Sequence, residues 1–175
     1  GLQETLYQEF KSRLRERDES VPYRYGPYLY YYRYAEGLQY KIFCRRTHSP
    51  VGEEEVLLDV NRLAEHFPFF NIGIVSPSPD HTKFAYTFDT QGNERFTLRV
   101  LDLTTNTLLS DVITEVSYDI EWSADSSIIL YTLLDDQNQP NRLVSHTLGT
   151  PPSSDTILYT ETDQQFYLSL SKTRS

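Results

Sequence analysis

The stretch that decides the fold is "SPSPDHTKFAYT", residues 76–87, because it returns about 45 residues later as "EWSADSSIILYT", residues 121–132. Four residue types recur at matched positions: Ser78 and Ser123, Asp80 and Asp125, Tyr86 and Tyr131, Thr87 and Thr132. An Asp at a chain reversal accepts hydrogen bonds from nearby backbone groups, so each copy predicts a turn. The apolar run that follows predicts a strand. The repeat therefore indicates two copies of one structural unit.

Around each copy the sequence predicts four short strands joined by tight turns. The predicted strands are residues 71–76, 83–89, 96–103 and 106–110 in the first unit, and 115–122, 127–136, 141–148 and 155–160 in the second. Residues 165–173 ("QFYLSLSKT") begin a further unit. A four-stranded unit with two apolar faces needs neighbours to cover them, so such units stack around an axis. The predicted fold is all-β: a partial β-propeller of four-stranded antiparallel blades, with about two complete blades and parts of others.

The residues before this repeat predict one helix and an earlier group of strands. Apolar residues recur at helical spacing near the start of the chain: Leu2, Leu6, Phe10 and Leu14. Pro22 follows the end of this pattern, so we expect one N-terminal α-helix over residues 1–18. Strands are predicted over residues 28–34, 40–46 and 54–60. Asp59 or Asn61 is placed to cap one short helical turn after them.

Composition limits the classes of protein to which the chain can belong. Its net charge of −9 over 175 residues disfavours a nucleic-acid partner, which requires clustered Lys and Arg. No apolar run approaches the roughly 18 residues of a membrane span, and no secretory signal opens the chain. A single cysteine, Cys44, excludes an internal disulfide and a multi-thiolate zinc site. We expect no cofactor, no metal, no membrane and a cytoplasmic location, and we interpret a chain that begins at Gly1 and lacks Met as a fragment.

Four stretches resemble the N-terminal propeller of the prolyl oligopeptidase family, most closely its oligopeptidase B branch. They are residues 20–46, 54–70, 75–103 and 146–175. The last stretch is the most distinctive, and it matches the spacing of the family at His146, Leu148, Gly149, Thr150, Asp155, Leu158, Tyr159 and Asp163. The resemblance covers nearly the whole chain, and the four stretches occur in the order typical of the family.

This resemblance implies a function for the longer protein. The family joins a seven-bladed propeller to an α/β-hydrolase domain that carries a Ser-Asp-His triad, and the oligopeptidase B branch cleaves short peptides after Arg or Lys. The propeller covers the active site and admits small substrates. On this basis residues 1–18 pack on the hydrolase domain, and residues 19–175 form the first blades. The hydrolase domain and short peptides are the expected partners, and the chain by itself is expected to be inactive.

No catalytic residue is predicted within the chain. Serine nucleophiles of α/β-hydrolases lie in Gly-x-Ser-x-Gly elbows, and the sequence contains none. Ser76 and Ser78 are instead predicted to lie in a proline-containing turn. The four histidines are His48, His66, His81 and His146, and they are scattered over loops and strands without sharing an element. We therefore assign no catalytic, cofactor-binding or metal-binding residue.

Three other features have both a functional and a structural interpretation. Cys44 is either a small buried residue or an exposed thiol activated by Arg45 and Arg46, and packing is favoured. The tyrosine-rich residues 23–40, interleaved with Arg24 and Arg33, fit strand packing better than base stacking. The loop carboxylates, Glu53 to Glu55 with Asp135 and Asp136, could attract basic side chains of a substrate, although such residues are more often simply solvated.

Two rival functions stay open from the sequence. One is a proline-specific sibling of the same family, and the other is a non-catalytic propeller used as a binding scaffold. A propeller of a few blades also leaves strand edges and apolar faces uncovered. We therefore expect the chain to self-associate through those edges.

Overall fold

The computed structural model describes residues 19–49 and 51–172, so the predicted helix over residues 1–18 lies outside the described residues. The chain divides into two compact units, residues 1–67 and 68–175. The described residues form antiparallel sheets with one short α-helix and one 3-10 turn, which confirms the prediction of an all-β fold. None of the helices described is long and apolar enough to cross a membrane.

The first unit contains a four-stranded sheet. Its strands are β1 (Tyr23–Tyr25), β2 (Tyr28–Arg33), β3 (Ile42–Thr47) and β4 (Glu55–Asp59), in the order β1-β2-β3-β4. The predicted strands correspond to β2, β3 and β4. Sequence reasoning missed β1, a three-residue strand that pairs with β2 across a tight turn at Gly26, whose φ is 56°. A single residue at positive φ is cheap for glycine, which favours so close a reversal.

The helix α1 (Val60–Ala64) begins directly after β4. Asp59 is its N-cap, and its carboxylate accepts a hydrogen bond from the backbone N–H of Asn61 at 3.0 Å. Asn61 is not the cap: its amide group instead exchanges two hydrogen bonds with the backbone of Tyr40, at 2.9 and 3.0 Å. Of the two cap residues considered, the structure selects Asp59.

The second unit contains one seven-stranded antiparallel sheet whose strands follow chain order. The strands are β5 (Asn71–Pro77), β6 (Lys83–Asp89), β7 (Phe96–Asp102), β8 (Thr107–Trp122), β9 (Ile128–Leu134), β10 (Pro140–Thr147) and β11 (Thr156–Thr160). A 3-10 turn, Pro152–Ser154, precedes β11. Every strand predicted between residues 71 and 160 is present.

One boundary differs from the prediction, because β8 joins two predicted strands into one of 16 residues. Its first part pairs with β7 through Thr107, Leu108, Val112 and Ile113. Its second part, Val116 to Trp122, pairs with β9. Between them Glu115 has a φ of 62°, so the chain turns by a single left-handed residue without leaving the sheet. The first blade is therefore β5, β6, β7 and the start of β8, and the second blade is the end of β8 with β9, β10 and β11.

The two blades share one hydrophobic core. Buried side chains from both blades form a single cluster: Ala85, Phe96, Leu98, Val100, Ile113, Val116, Ile120, Trp122, Ile129, Tyr131 and Val144. The two blades, which are the two halves of this seven-stranded sheet, therefore cover apolar side chains of one another, as neighbouring four-stranded units of a propeller must.

The expected start of a further blade is not formed as a strand. Residues 161–172 have no strand assignment. They are attached to the second blade by hydrogen bonds from the N–H of Leu168 to the carbonyl oxygen of Pro140, at 2.8 Å, and from the N–H of Leu170 to the carboxylate of Asp119, at 3.0 Å.

Candidate functional site

The repeated Ser-x-Asp turn has the same hydrogen bonds in both blades. Ser123 Oγ donates to Asp125 Oδ1 at 2.6 Å and accepts from the N–H of Ile128 at 3.0 Å. Asp125 also accepts from both the N–H and the hydroxyl of Ser127. In the first blade, Ser78, Asp80, Thr82 and Lys83 make the equivalent bonds. The repeated residues are therefore turn formers, and their spacing reflects turn geometry.

These hydrogen bonds set the ionisation of both aspartates. The hydroxyls of Ser123 and Ser127 lower the pKa of Asp125 to about 2. Burial alone would raise the pKa of Asp80, but hydrogen bonds from Ser78 and Thr82 outweigh it and hold that pKa well below its ordinary value. Both carboxylates are thus acceptors in their ionised form, which suits turn formation and not acid catalysis.

Neither Ser76 nor Ser78 is presented as a nucleophile, and the expectation that Ser76 lies in the turn is wrong, because it lies in a strand. Ser78 is fully buried, and its hydroxyl is already bonded within the turn. Ser76 lies in β5, where its carbonyl oxygen accepts a hydrogen bond from Trp122. A hydrolytic serine must instead reach an exposed carbonyl beside an oxyanion hole. The absence of catalytic residues from the chain stays a prediction.

The four histidines lie in different surroundings. His48 and His66 are exposed, and His81 is partly buried in the first Ser-x-Asp turn with a φ of 60°. His146, on β10, is fully buried. Sequence reasoning assigned it no role, yet the structure surrounds it with ionisable groups.

His146 lies between two carboxylates. Its Nδ1 is 2.6 Å from Asp155 Oδ1, and its Nε2 is 2.7 Å from Asp111 Oδ1. Asp111 also accepts a hydrogen bond from the N–H of Gly149 at 2.7 Å. Asp155 accepts a hydrogen bond from the hydroxyl of Tyr131 at 2.7 Å. Burial is the larger cause of a raised pKa at Tyr131, and the bond to Asp155 raises this pKa further. The resemblance had singled out His146, Gly149 and Asp155, but Asp111 enters only through the packing of one blade on the next.

Cys44 is a packed side chain. It is 1% exposed on β3 and lies in a small cluster with Tyr31 and Ile42. Burial, followed by the nearby charge of Glu54, raises the pKa of its thiol to about 11. The packing interpretation fits this geometry, because the adjacent arginines do not activate the thiol.

The tyrosine-rich face of the first sheet is internally packed. The rings of Tyr23 and Tyr30, directly opposite across β1 and β2, stack with centroids 5.8 Å apart. The guanidinium of Arg45 lies 4.2 Å from the ring centroid of Tyr28, and Arg45 also forms an ion pair with Glu55 at 2.6 Å. The aromatic and basic side chains are thus engaged with one another, which agrees with strand packing and not with base stacking.

The loop carboxylates considered for attracting substrates fall into two groups. Glu54 is bound by Arg33 and by the hydroxyl of Tyr31, and Glu55 is bound by Arg45, so these two glutamates stabilise the first sheet. The carboxylate of Asp135 accepts hydrogen bonds from the backbone of its own turn. Glu53 and Asp136 are exposed. Glu53, Asp135 and Asp136 therefore remain candidates for attracting a cation.

Asp135 also lines a cavity of about 250 Å³ at the edge of the second blade. The lining includes Asn141, Glu161, Asp163 and Phe166. Asn141 Oδ1 is buried there without a hydrogen-bond partner. The carboxylates make this edge strongly negative, although no group of three His, Cys, Asp or Glu side chains in the described part of the chain is arranged to hold a metal ion.

Two consecutive four-stranded blades with a shared core define the class of this protein: it is part of a β-propeller. The family model for the prolyl oligopeptidase N-terminal β-propeller domain matches residues 1–175. The chain therefore belongs to this family of propeller domains, as the resemblance predicted.

Two curated relatives show the extent of the similarity. Dipeptidyl aminopeptidase BI of Pseudoxanthomonas mexicana is 34% identical over 99% of this chain and 26% of the relative. Protease 2 of Moraxella lacunata is 32% identical over 98% of this chain and 26% of the relative. The chain thus spans about a quarter of the length of the curated relatives it matches.

Solved structures agree with this assignment. Oligopeptidase B from Leishmania major matches 86% of this chain and 22% of its own, with a TM-score of 0.82 and 33% identity. Oligopeptidase B from Trypanosoma brucei matches 94% of this chain and 23% of its own, with a TM-score of 0.80 and 34% identity. The fold of this chain is that of the propeller region in both enzymes.

Proposed function

We propose that this chain is the propeller region of a serine oligopeptidase that hydrolyses short peptides after Arg or Lys. The observation that carries the proposal is the match to two oligopeptidase B structures at about one third identity over most of the chain. In the complete protein the peptide bond is broken by groups outside this chain. A serine hydroxyl attacks the carbonyl carbon, with a histidine as general base.

This chain restricts the access of substrates to the active site of the complete protein. Blades that pack on one another form a rigid wall, and a wall around an active site admits short peptides while excluding folded proteins. The described residues provide a shared core for this wall. Ser78 and Ser123 stabilise the equivalent turns of its two blades. The chain alone is expected to be inactive.

The preference for Arg or Lys is tested with the complete polypeptide that contains this chain. Fluorogenic peptides that differ only in ending with Arg or with Pro before the scissile bond are compared by kcat/KM. A preference for Arg supports the proposal, and a preference for Pro favours the proline-specific alternative. Failure to hydrolyse either peptide favours a non-catalytic scaffold.

A second candidate function is favoured by the similarity to dipeptidyl aminopeptidase BI. An enzyme that removes dipeptides needs a free amino terminus, whereas an endopeptidase tolerates a blocked one. The same Arg peptide is therefore offered with a free and with an acetylated amino terminus. Loss of hydrolysis on acetylation would assign dipeptide release, and comparable rates support endopeptidase activity.

Restricted access has its own test. One Arg-containing sequence is offered as a short peptide and as an exposed loop of a folded protein. Rapid cleavage of the peptide with no cleavage of the loop supports the role of the wall. Comparable cleavage of both would contradict it, whatever the residue preference.

The negative edge of the second blade supports a further part of this proposal, the attraction of basic peptides. Asp136, which is exposed, and Glu161, which is partly buried, are replaced in the complete protein by Asn and Gln, and Glu65→Gln removes one exposed charge elsewhere. Because long-range attraction is screened by salt, the double variant should show a smaller salt dependence of kcat/KM than the control. An unchanged salt dependence would end this part of the proposal.

A further inference from the structure

The buried group around His146 joins the two blades. Asp111 lies on the part of β8 that belongs to the first blade, whereas His146 on β10 and Asp155 before β11 belong to the second. The N–H of Gly149 adds a second bond from the second blade to Asp111. We propose that Asp111, His146 and Asp155 form a proton-dependent clasp, in which His146 is held as the imidazolium cation and fixes the outer strand β11 against the first blade.

The charge of His146 follows from the chemistry of its partners. An ionised carboxylate only accepts hydrogen bonds, and a neutral imidazole has one N–H and one lone pair. Both ring nitrogens of His146 lie within 2.7 Å of a carboxylate oxygen, so with both carboxylates ionised both nitrogens must donate. Removal of the ring proton would place a lone pair against a carboxylate oxygen in a site from which water is excluded.

The neighbouring groups favour the same state. The charged and titratable groups that face the clasp are Asp111 from β8, Asp155 from the segment before β11 and Tyr131 from β9, with Arg142 of β10 acting on Tyr131. The side chain of His146 is fully buried, and those of Asp111 and Asp155 are 3% and 5% exposed. Two buried carboxylates need at least one cation between them, and the imidazolium supplies it.

The clasp couples the protonation of His146 to the attachment of β11. Among the described strands, β11, the fourth strand of the second blade, is paired with β10 alone. The segment that leads into β11 is bonded to the rest of the blade through Asp155, beside the 3-10 turn that contacts β8. Loss of the ring proton therefore loosens β11 first, while the core shared by β6, β7 and β9 is retained.

The protonation state is measured directly on the 175-residue chain with ¹⁵N-labelled histidine. Near neutral pH, His146 should give two protonated ring nitrogens with imidazolium shifts. His48 and His66 are exposed and serve as internal references. A neutral tautomer at His146 under these conditions would overturn the proposal, and this result does not depend on any variant folding.

Variants then test the mechanical role. Asp111→Asn keeps an acceptor for the N–H of Gly149 and for the ring Nε2–H but removes one of the two negative charges that hold the ring proton, so His146 should lose that proton at a lower pH in this variant while the fold is retained. His146→Gln removes the double donor, and amide hydrogen exchange in β11 should accelerate roughly tenfold or more relative to β6. His66→Gln makes the same chemical change at an exposed site and should leave β11 unchanged.

The proton dependence has a definite sign. A clasp that needs its proton is intact at lower pH and opens as the pH rises far enough to remove that proton. Protection of β11, corrected for intrinsic exchange, should therefore fall with rising pH in the wild type, and it should fall at a lower pH in Asp111→Asn. The same pH profile in both proteins would overturn the clasp, and none of these measurements depends on peptidase activity.

Discussion

The indole Nε1 of Trp122 donates a hydrogen bond to the carbonyl oxygen of Ser76, 3.1 Å away and 46 residues earlier in the chain. The N–H of Asp80 and Ser126 Oγ are joined at 3.0 Å over the same separation of 46 residues. The sequence separation of these bonded residues is close to the period of the repeat, because the two blades are bonded to one another at nearly equivalent positions. The residues that repeat in the sequence therefore include residues that connect one blade to the next.

Replacement of Trp122 tests this inter-blade contact. Trp122→Phe keeps an aromatic ring in the core but leaves the carbonyl of Ser76 without its donor, and we expect a loss of about 1–2 kcal/mol in the free energy of unfolding. Trp122→Ala also leaves a cavity, and we expect a loss of about 3–5 kcal/mol. Urea unfolding followed by circular dichroism measures both values.

Tyr118→Phe is a matched control, since it removes one hydroxyl hydrogen bond, to Glu94, from a half-exposed ring. Its effect should stay within about 0.5 kcal/mol. If Trp122→Phe were no more destabilising than this control, the bond to Ser76 would not be holding the blades together.

The paired turns predict a particular loss of stability in acid. The pKa of Asp125 is lowered to about 2 and that of Asp80 is also lowered, so both ionised groups stabilise the folded chain above the unfolded pKa of about 3.9. That stabilisation is lost as the pH falls from about 4 toward 2, because the folded state must then take up protons it binds weakly.

A double variant, Asp80→Asn with Asp125→Asn, keeps an acceptor in each turn but cannot titrate. Thermal unfolding measured at a series of pH values should show a smaller decrease below about pH 4 in the double variant than in the wild type. Parallel curves for the two proteins would show that these carboxylates do not control acid stability.

The sequence was most informative where structure depends on nearby residues. The turns at Asp80 and Asp125 were predictable because the donors and acceptors lie within five residues of one another. The continuous strand β8 was not predictable, because the pattern does not reveal that Glu115 adopts a left-handed conformation within the sheet. Two separate strands were expected here, and positive φ is uncommon in residues other than glycine.

Contacts between charged residues that are distant in sequence were also not predicted. His146 and Asp155 are nine residues apart and were both part of the recognised pattern, but Asp111 is 35 residues from His146. The loop carboxylates show the same limit, because Glu54 and Glu55 look solvated in the sequence and are bound by Arg33 and Arg45 in the sheet. A single sequence carries no signal for which distant partner a charged residue will find.

The buried thiol of Cys44 predicts slow chemistry in the folded chain. Burial raises its pKa to about 11, so the thiolate fraction at mildly alkaline pH should be about a hundredfold lower than for an ordinary thiol. Reaction with a thiol-disulfide reagent should therefore be slower by at least that factor in the native chain than in urea. Equal rates in the two states would show that Cys44 is exposed or that the first sheet opens readily.

The edge strand β11 predicts self-association of this chain. Within the part of the chain that the structure describes, β11 lies at the end of its sheet and pairs with β10 alone. Its side chains Ile157, Leu158 and Tyr159 are 55%, 53% and 50% exposed. An exposed apolar edge pairs readily with another chain, and a lysine placed on it opposes that pairing. Ile157→Lys should therefore lower the weight-average mass measured by light scattering, whereas Thr105→Lys, which adds the same charge in the exposed turn between β7 and β8, should not. A wild-type mass that stays monomeric at every concentration, or two lysine variants that behave alike, would show that this edge does not mediate association.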